Sequence, residues 1–408
     1  MSSEQKQIVI LGAGYAGLMA ALRLAGKTKK QDTRVILING SETFMQRPRL
    51  HHVATGQEVP GEQLPDMLRG SRVRFLYGWV TAVHPQAHMV SLQTDGGFDE
   101  ISFDTLVYAL GSVVDQESVP GVHEHAYVLD PGGTNGAQAV REKLEALSGS
   151  GGRVVVVGGG PTGIEAAAEI KALYPDLEVQ LVTSGRFAAF KGPRVEAHIC
   201  DGFLKQGISV HEHKKVMAVE QGRLRLENGE IMRFDCCLWA GGFRARPLAR
   251  EAGFVTNERG QILVDPFGRS INYPDVYAIG DAGHPIEEPG VPLRMSLITA
   301  ITRGAHAADN IAALLRGKAQ SPLSFAYYGQ GIAMGPDDAV GFFAYPADKP
   351  RGPILRGKVA VNVRNFFVWL LFFFLKLERR WPGFYLWLGK GRYAKQAQIN
   401  CPLTVPTE

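Results

Sequence analysis

The chain has 408 residues, 45% of them hydrophobic and 21% charged, with a formal net charge of +4. That length leaves room for about two to three domains around buried cores, and so small a charge gives no support to nucleic-acid binding. The N-terminus shows no secretory pattern, which points to the cytoplasm. The four cysteines, Cys200, Cys236, Cys237 and Cys401, form no Cys-x-x-Cys pair. A dithiol relay is therefore excluded, and no metal site is expected.

Ile8–Leu11 is an apolar run that reads as a buried parallel strand. It breaks into Gly12, Gly14 and Gly17, and an alanine- and leucine-rich helix follows to about Leu24. Gly12 permits a sharp turn, Gly14 lets a diphosphate approach the backbone, and Gly17 lets helix and strand pack closely. The diphosphate then meets free N–H groups at a helix N-terminus. Thr33–Asn39 is the second strand, with Asn39 where an acid often holds ribose hydroxyls. Phe44–His52 carries Arg47, Arg49, His51 and His52. It reads either as a solvated helix start or as a segment that brings Arg47 or Arg49 to a cofactor phosphate. Strands are expected at 73–76 and 80–84, a hairpin over 89–103, and a buried strand from Asp104 ending at Gly111-Ser112.

A loop over 130–137 and a helix over 138–147 lead to a second glycine motif. Residues 153–165 read Arg-Val-Val-Val-Val-Gly-Gly-Gly-Pro-Thr-Gly-Ile-Glu, placing Gly158, Gly160 and Gly163 between a strand and a helix. Two dinucleotide folds imply two dinucleotides, one resident and one exchanging, as in an electron-transfer flavoprotein. The next strand, 178–182, ends in Ser184-Gly-Arg186 instead of an acid. A missing carboxylate leans toward NADPH, with Arg186 either meeting the 2′-phosphate or simply facing solvent. Strands at 222–226 and 234–239 lead into Ala240-Gly241-Gly242. Pro274–Gly283 is a strand ending in Gly-Asp281, followed by a helix over 297–315. Asp281 could accept from a ribityl hydroxyl or act as a turn acid, and the helix start at Ser296 would face the flavin pyrimidine.

On these motifs the chain resembles the FAD-dependent pyridine-nucleotide oxidoreductases with two dinucleotide-binding domains. Within them it looks most like the type II NADH dehydrogenases, which are NADH:quinone oxidoreductases. The resemblance rests on Gly12–Gly17, Leu106–Ser112, Gly158–Glu165, Trp239–Gly242, Tyr277–Asp281 and Gly329–Gly341. It implies FAD held by Gly12, Gly14, Gly17, Asn39, Arg47, Gly111, Asp281 and Ser296. It implies NADH or NADPH as co-substrate at Gly158, Gly160, Gly163, Ser184, Arg186 and Gly241. Glu165 matches a family glutamate near the nicotinamide and flavin, where it would place the nicotinamide or handle protons. Its structural alternative is a helix charge complementing the dipole. The family's two quinone-lining glutamines fall in Leu297–Thr302, where both are lost.

The tail holds Phe366–Leu375, ten apolar residues, and a second aromatic patch over Trp381–Leu388. As a helix the ten-residue run spans roughly 15 Å, too short to cross a bilayer. Arg364, Lys376, Arg379, Arg380, Lys390, Arg392 and Lys395 flank these patches against Glu378 alone. Either the tail is an interfacial anchor, or it is a helix buried against the core or in a homodimer. The expected architecture is α/β: two Rossmann-like domains for FAD and NAD(P)H plus a C-terminal amphipathic, aromatic helical tail. The expected boundaries are 1–116 and 251–325 for FAD, 117–250 inserted for NAD(P)H, and 326–408 with membrane-associating helices over 361–397. The expected activity carries hydride from NAD(P)H to FAD and electrons on to a quinone or similar lipophilic acceptor. The protein would sit peripherally on the cytoplasmic face of the membrane. The alternative is a soluble reductase for a small redox protein or a specialised metabolite.

Overall fold

The computed structural model describes residues 5–287, 291–345 and 348–391. In chain order the principal elements of the first third are β1 (Lys6–Leu11), α1 (Tyr15–Lys27), β2 (Thr33–Asn39), α2 (Leu50–Ala54), β3 (Val73–Tyr77), β4 (Thr105–Tyr108) and β5 (Ser112–Val114). Next come β6 (Tyr127–Val128), β7 (Arg153–Val157), α3 (Pro161–Leu173), β8 (Glu178–Val182), β9 (Ser209–His211), β10 (Cys236–Trp239) and β11 (Phe243–Ala245). The last are β12 (Val276–Ala278), α4 (Leu297–Leu314), β13 (Gly329–Ala333), β14 (Ala339–Ala344), β15 (Pro350–Arg356) and α5 (Gly357–Arg380).

Two parallel sheets organise the chain. The first has the order β12-β4-β1-β2-β3 and the second β6-β10-β7-β8-β9. All strands of the second sheet fall in sequence between β4 and β12 of the first. The short antiparallel pair β5–β11 runs where the chain passes between them. Parallel strands covered on both faces must be apolar throughout. β1 and β7 satisfy this: Ile8–Leu11 and Val154–Val157 are all buried. α1 is buried along nearly its whole length, because α4 covers the face turned away from the sheet.

The tail departs from its expected length. α5 has 24 residues, roughly 36 Å at 1.5 Å per residue. It is long and apolar enough by length and composition to cross a membrane. Gly357–Asn365 adds two and a half turns ahead of the ten-residue run, which corrects the 15 Å expectation. One face of α5 nevertheless lies on the body, with Ala360, Leu371, Leu375 and Glu378 buried against β14, β13 and α1. The opposite face exposes Val359, Phe366, Trp369 and Phe373 at helical spacing. Beyond it, Tyr385 and Trp387 are buried, whereas Trp381, Phe384, Leu386 and Leu388 are exposed. Arg392, Lys395 and Cys401 lie outside the described residues.

Candidate functional site

The two glycine motifs are built alike. Gly12 has φ +92°, and a Cβ there would lie 2.6 Å from the Ala109 carbonyl oxygen. Its counterpart Gly158 has φ +129°, with Ala240 O at 2.4 Å. A Cβ on Gly17 would meet Gly12 O at 1.8 Å, and one on Gly163 would meet Gly158 O at 1.9 Å. Only glycine fits these four positions. A Cβ on Gly14 or Gly160, by contrast, would have nothing within 4 Å. Each middle glycine thus opens onto free space ahead of a helix whose first turn carries no acid. That is the chemistry a diphosphate needs: bare backbone, free N–H groups and no repelling carboxylate.

Gly14 belongs to a cavity of about 250 Å³ that also takes in Tyr15, Arg47, His51, Gly111, Asp281 and Ser296. Its polar side chains are interlocked. Arg47 donates to the Ser112 carbonyl at 2.7 Å and to Asp130 at 2.9 Å. The Ser112 hydroxyl donates to Asp281 at 2.8 Å. Burial pushes the Asp281 carboxyl above its usual range, against the pull of Ser112, Arg47, Arg303 and the Ser296 backbone N–H. Ser296 is the N-cap of α4. Asn39 ends β2. Its Oδ1 accepts from the Ala13 N–H at 2.9 Å and its Nδ2 donates to Ser41 O at 2.7 Å, so the amide ties the glycine turn to the end of β2.

Glu165 opens the second turn of α3, just past the first turn in which a dipole charge acts most strongly. It accepts from the Ala333 N–H of β13 and from Arg364 of α5, each at 3.1 Å. Sequence reading had put Arg364 in a basic flank; the fold turns it inward as the partner of Glu165. The signal was available, since Arg364 interrupts an otherwise apolar helix face.

Glu165 borders a second cavity as well, of about 430 Å³. The two cavities share Pro48, Thr162, Glu165, Phe243, Met295, Ser296 and Leu297. The second is walled mainly by apolar side chains, including Ile298, Tyr328, Phe342, Leu355, Val363, Phe367 and Leu371, with Arg294 and Arg364 among its few charges. The lost glutamines have distinct fates. Ile298 lines this cavity, whereas Thr302 is buried with its hydroxyl 2.9 Å from that of Tyr385. Arg303, which sequence reading missed, is buried and donates to the carbonyls of Gly280, Gly283 and Ala278. It fixes the start of α4 against the end of β12.

Beyond β8, Ser184 and Arg186 are exposed, and Arg186 pairs with Glu196. Gly241 is exposed beside Trp239, whose indole donates to Asp115 O at 2.8 Å. Cys236 and Cys237 are buried in β10, where burial pushes the Cys236 thiol up to about 12. Thiols held protonated in this way are inert.

A parallel dinucleotide fold repeated within one chain, with both glycine turns intact, defines a nucleotide-dependent oxidoreductase. The chain belongs to the pyridine nucleotide-disulphide oxidoreductase family, whose model matches residues 6–304. It is 27% identical to the demethylphylloquinone reductase NdbB of Synechocystis over 354 residues, covering 83% of this chain and 87% of that protein. It is 26% identical to a type II NADH:quinone oxidoreductase of Staphylococcus epidermidis over 375 residues, covering 84% and 90%. Among solved structures, the sulfide:quinone oxidoreductase of Aquifex aeolicus superposes with a TM-score of 0.75 at 20% identity, over 93% of each chain. NDH2 of Plasmodium falciparum in complex with NADH superposes with a TM-score of 0.74 at 17% identity, over 93% of this chain and 99% of that one. The shared fold thus extends beyond the family model into the tail.

Proposed function

We propose that this protein is an FAD-dependent NAD(P)H oxidoreductase that passes electrons to a quinone or a similar lipophilic acceptor, as type II NADH dehydrogenases do. The observation that carries the reading is the shared wall. A cavity beginning at a bare glycine turn and an apolar cavity under α5 meet at Thr162, Glu165 and Ser296. Two reactants that never occupy one site together can then exchange electrons through a group seated at the junction. The relatives named as quinone reductases support the same acceptor class.

In this reading Gly12, Gly14, Gly17, Gly111, Arg47, Asp281 and Ser296 hold FAD, and Asn39 shapes the turn beneath it. Held by these residues, FAD would supply the hydride-accepting and electron-releasing chemistry. Gly158, Gly160, Gly163, Ser184, Arg186 and Gly241 meet the nicotinamide nucleotide. Glu165, steadied by Arg364 and the Ala333 N–H, positions the nicotinamide. The division at residues 116, 250 and 325 belongs to the same reading. So does a peripheral seat on the cytoplasmic face of the membrane, through the exposed stripe of α5 and the aromatic residues after it.

Replacement of the glutamines by Ile298 and Thr302 favours one alternative, a soluble reductase for a different acceptor. Anaerobic reduction by NADH and by NADPH, followed by mixing with a short-chain quinone, decides between them. Rapid flavin bleaching and rapid reoxidation by the quinone are expected. Bleaching without reoxidation selects the alternative, and absence of bleaching overturns both.

A further inference from the structure

One cluster of buried polar groups has no part in the scheme above. His51 and His52 of α2 meet Glu169 of α3, one turn beyond Glu165. One ring nitrogen from each histidine and one carboxylate oxygen all lie within 4.8 Å of one another. His51 Nε2 and Glu169 Oε2 are buried and have no hydrogen-bond partner among the described residues. The other Glu169 oxygen accepts from Gln57 at 2.5 Å. An unpartnered buried polar atom is costly, so a purely structural role would be poorly served here. His51 also borders the cavity that contains Gly14, Arg47 and Gly111. The cluster therefore connects to that cavity on one side. On the other, half-buried Gln57 and His52 separate it from solvent.

Three such donors invite a metal ion, but the charges around them argue otherwise. Burial, with the positive charges of Arg364 and Arg49, pushes His51 down to about 3, and His52 likewise. Burial is the larger cause of both shifts, and it opposes a bare divalent cation as well, together with the field of Arg364 and Arg49. A proton that moves between neutral groups avoids that field.

We propose that Glu169 and His51 form a buried proton-exchange pair serving the cavity beside Gly14 and Gly111, with Glu169 holding the proton and His51 handing it on. This rests on the reading above. Conversion of a quinone to a quinol takes two electrons and two protons. NAD(P)H supplies both electrons and one proton as hydride, so one further proton must come from water. Glu169 gives up that proton to one His51 nitrogen, the other His51 nitrogen releases one toward the cavity, Glu169 is reloaded from solvent past Gln57 and His52, and rotation of the His51 ring restores the starting tautomer before the next turnover. The imidazole stays neutral throughout, because it changes only its tautomer. Burial and the neighbouring Glu165 push the Glu169 carboxyl up, against Arg364 and the Gln57 hydrogen bond, which favours the protonated acid.

Infrared difference spectroscopy of the full-length protein across pH requires no electron donor and comes first. A protonated-carboxyl band that titrates above the ordinary carboxylate range, and that is lost in Glu169→Gln, is expected. Its absence from the wild type overturns the pair. Transient kinetics follow. Glu169→Gln, which keeps the Gln57 contact, and His51→Asn should slow the acceptor half-reaction about a hundredfold, far more than the reduction half-reaction. Glu169→Asp should restore part of the rate with a shifted pH profile. Equal slowing of both halves, or of neither, overturns the pair. So does stoichiometric zinc in the isolated wild type that is lost in His51→Asn. Failure of the wild type to pass electrons to a quinone would sink the functional reading, while the infrared band still decides the pair.

Discussion

The two ends of α5 are fastened by ion pairs of opposite character. Near its C-terminus, Glu378 is wholly buried and fully partnered. It accepts from Arg23 at 2.6 and 3.1 Å, from the Tyr385 N–H at 3.0 Å and from the Gly383 N–H. Arg23, equally buried, also donates to Tyr385 O at 2.6 Å. Nothing is left over for chemistry. One-third of the way along the helix, Arg364 meets Glu165 on a cavity wall, and Glu165 keeps an oxygen free. The same type of contact is a fastening at one end and a working part near the other. What separates them is whether the carboxylate is saturated.

The largest test of this contrast is at the closed end. Glu378→Leu strands a buried guanidinium and should cost about 3–5 kcal/mol of stability, with Arg23→Met in the same chain recovering much of the loss. Denaturant unfolding measures both, and a single-variant loss below 1 kcal/mol would break the contrast. Acid should loosen the same end. His306, edge-on to Trp387, is buried and pushed down to about 4 by burial, against Asp309 and the Ser321 carbonyl, with Arg303 and Lys390 adding to the fall. The unfolded chain takes up that proton first, so stability is full above about pH 6.5 and is lost as pH falls toward 4. For this group the loss reaches about 3 kcal/mol, from its shift of 6.5 to about 4. Thermal melts from pH 7 to 4 should show it, and His306→Gln should flatten that slope.

At the open pair the effect should move from stability to rate. Arg364→Met should cost less stability than Glu378→Leu, because Glu165 keeps the Ala333 N–H and faces a cavity, yet slow electron transfer to quinone by about tenfold, since Glu165 loses its orienting partner. On the outer face, Phe366→Ser with Trp369→Ser should weaken binding to anionic vesicles by about tenfold or more and leave Arg364 in place. The smallest effect belongs to a pair far from α5. Glu196→Gln frees Arg186 and should raise the ratio of NADPH to NADH use by about threefold, read from the two flavin reduction rates.

The parts legible in the sequence were those set by backbone geometry. Gly12, Gly17, Gly158 and Gly163 are dictated by contacts that no other residue survives, so their spacing carried the fold by itself. Strand 33–39 and the helix from Leu297 followed from unbroken apolar patterning. The parts not legible depend on pairs far apart in the chain. Arg23 and Glu378 are separated by 355 residues, and no local pattern tells a buried arginine from a surface one. Arg364 and Glu378 read as a basic flank with one stray acid, because charge in a sequence does not say which way it faces. The contacts of the Asn39 amide with Ala13 and Ser41 also have no signature in the spacing. Glu169 and His51 have no motif spacing, and only the packing of α2 on α3 joins them.

The second cavity has α5 for a wall. The same helix therefore carries an outward apolar stripe and an inward side that lines this cavity, the chamber proposed above for the acceptor. Anchor and chamber are one piece of chain, and they stand or fall together. Trimming the C-terminus to obtain a better-behaved soluble enzyme would unroof the place where its second reactant belongs. In descent, too, such a tail cannot be swapped between proteins like a detachable address label, because each exchange would rewrite the specificity along with the destination.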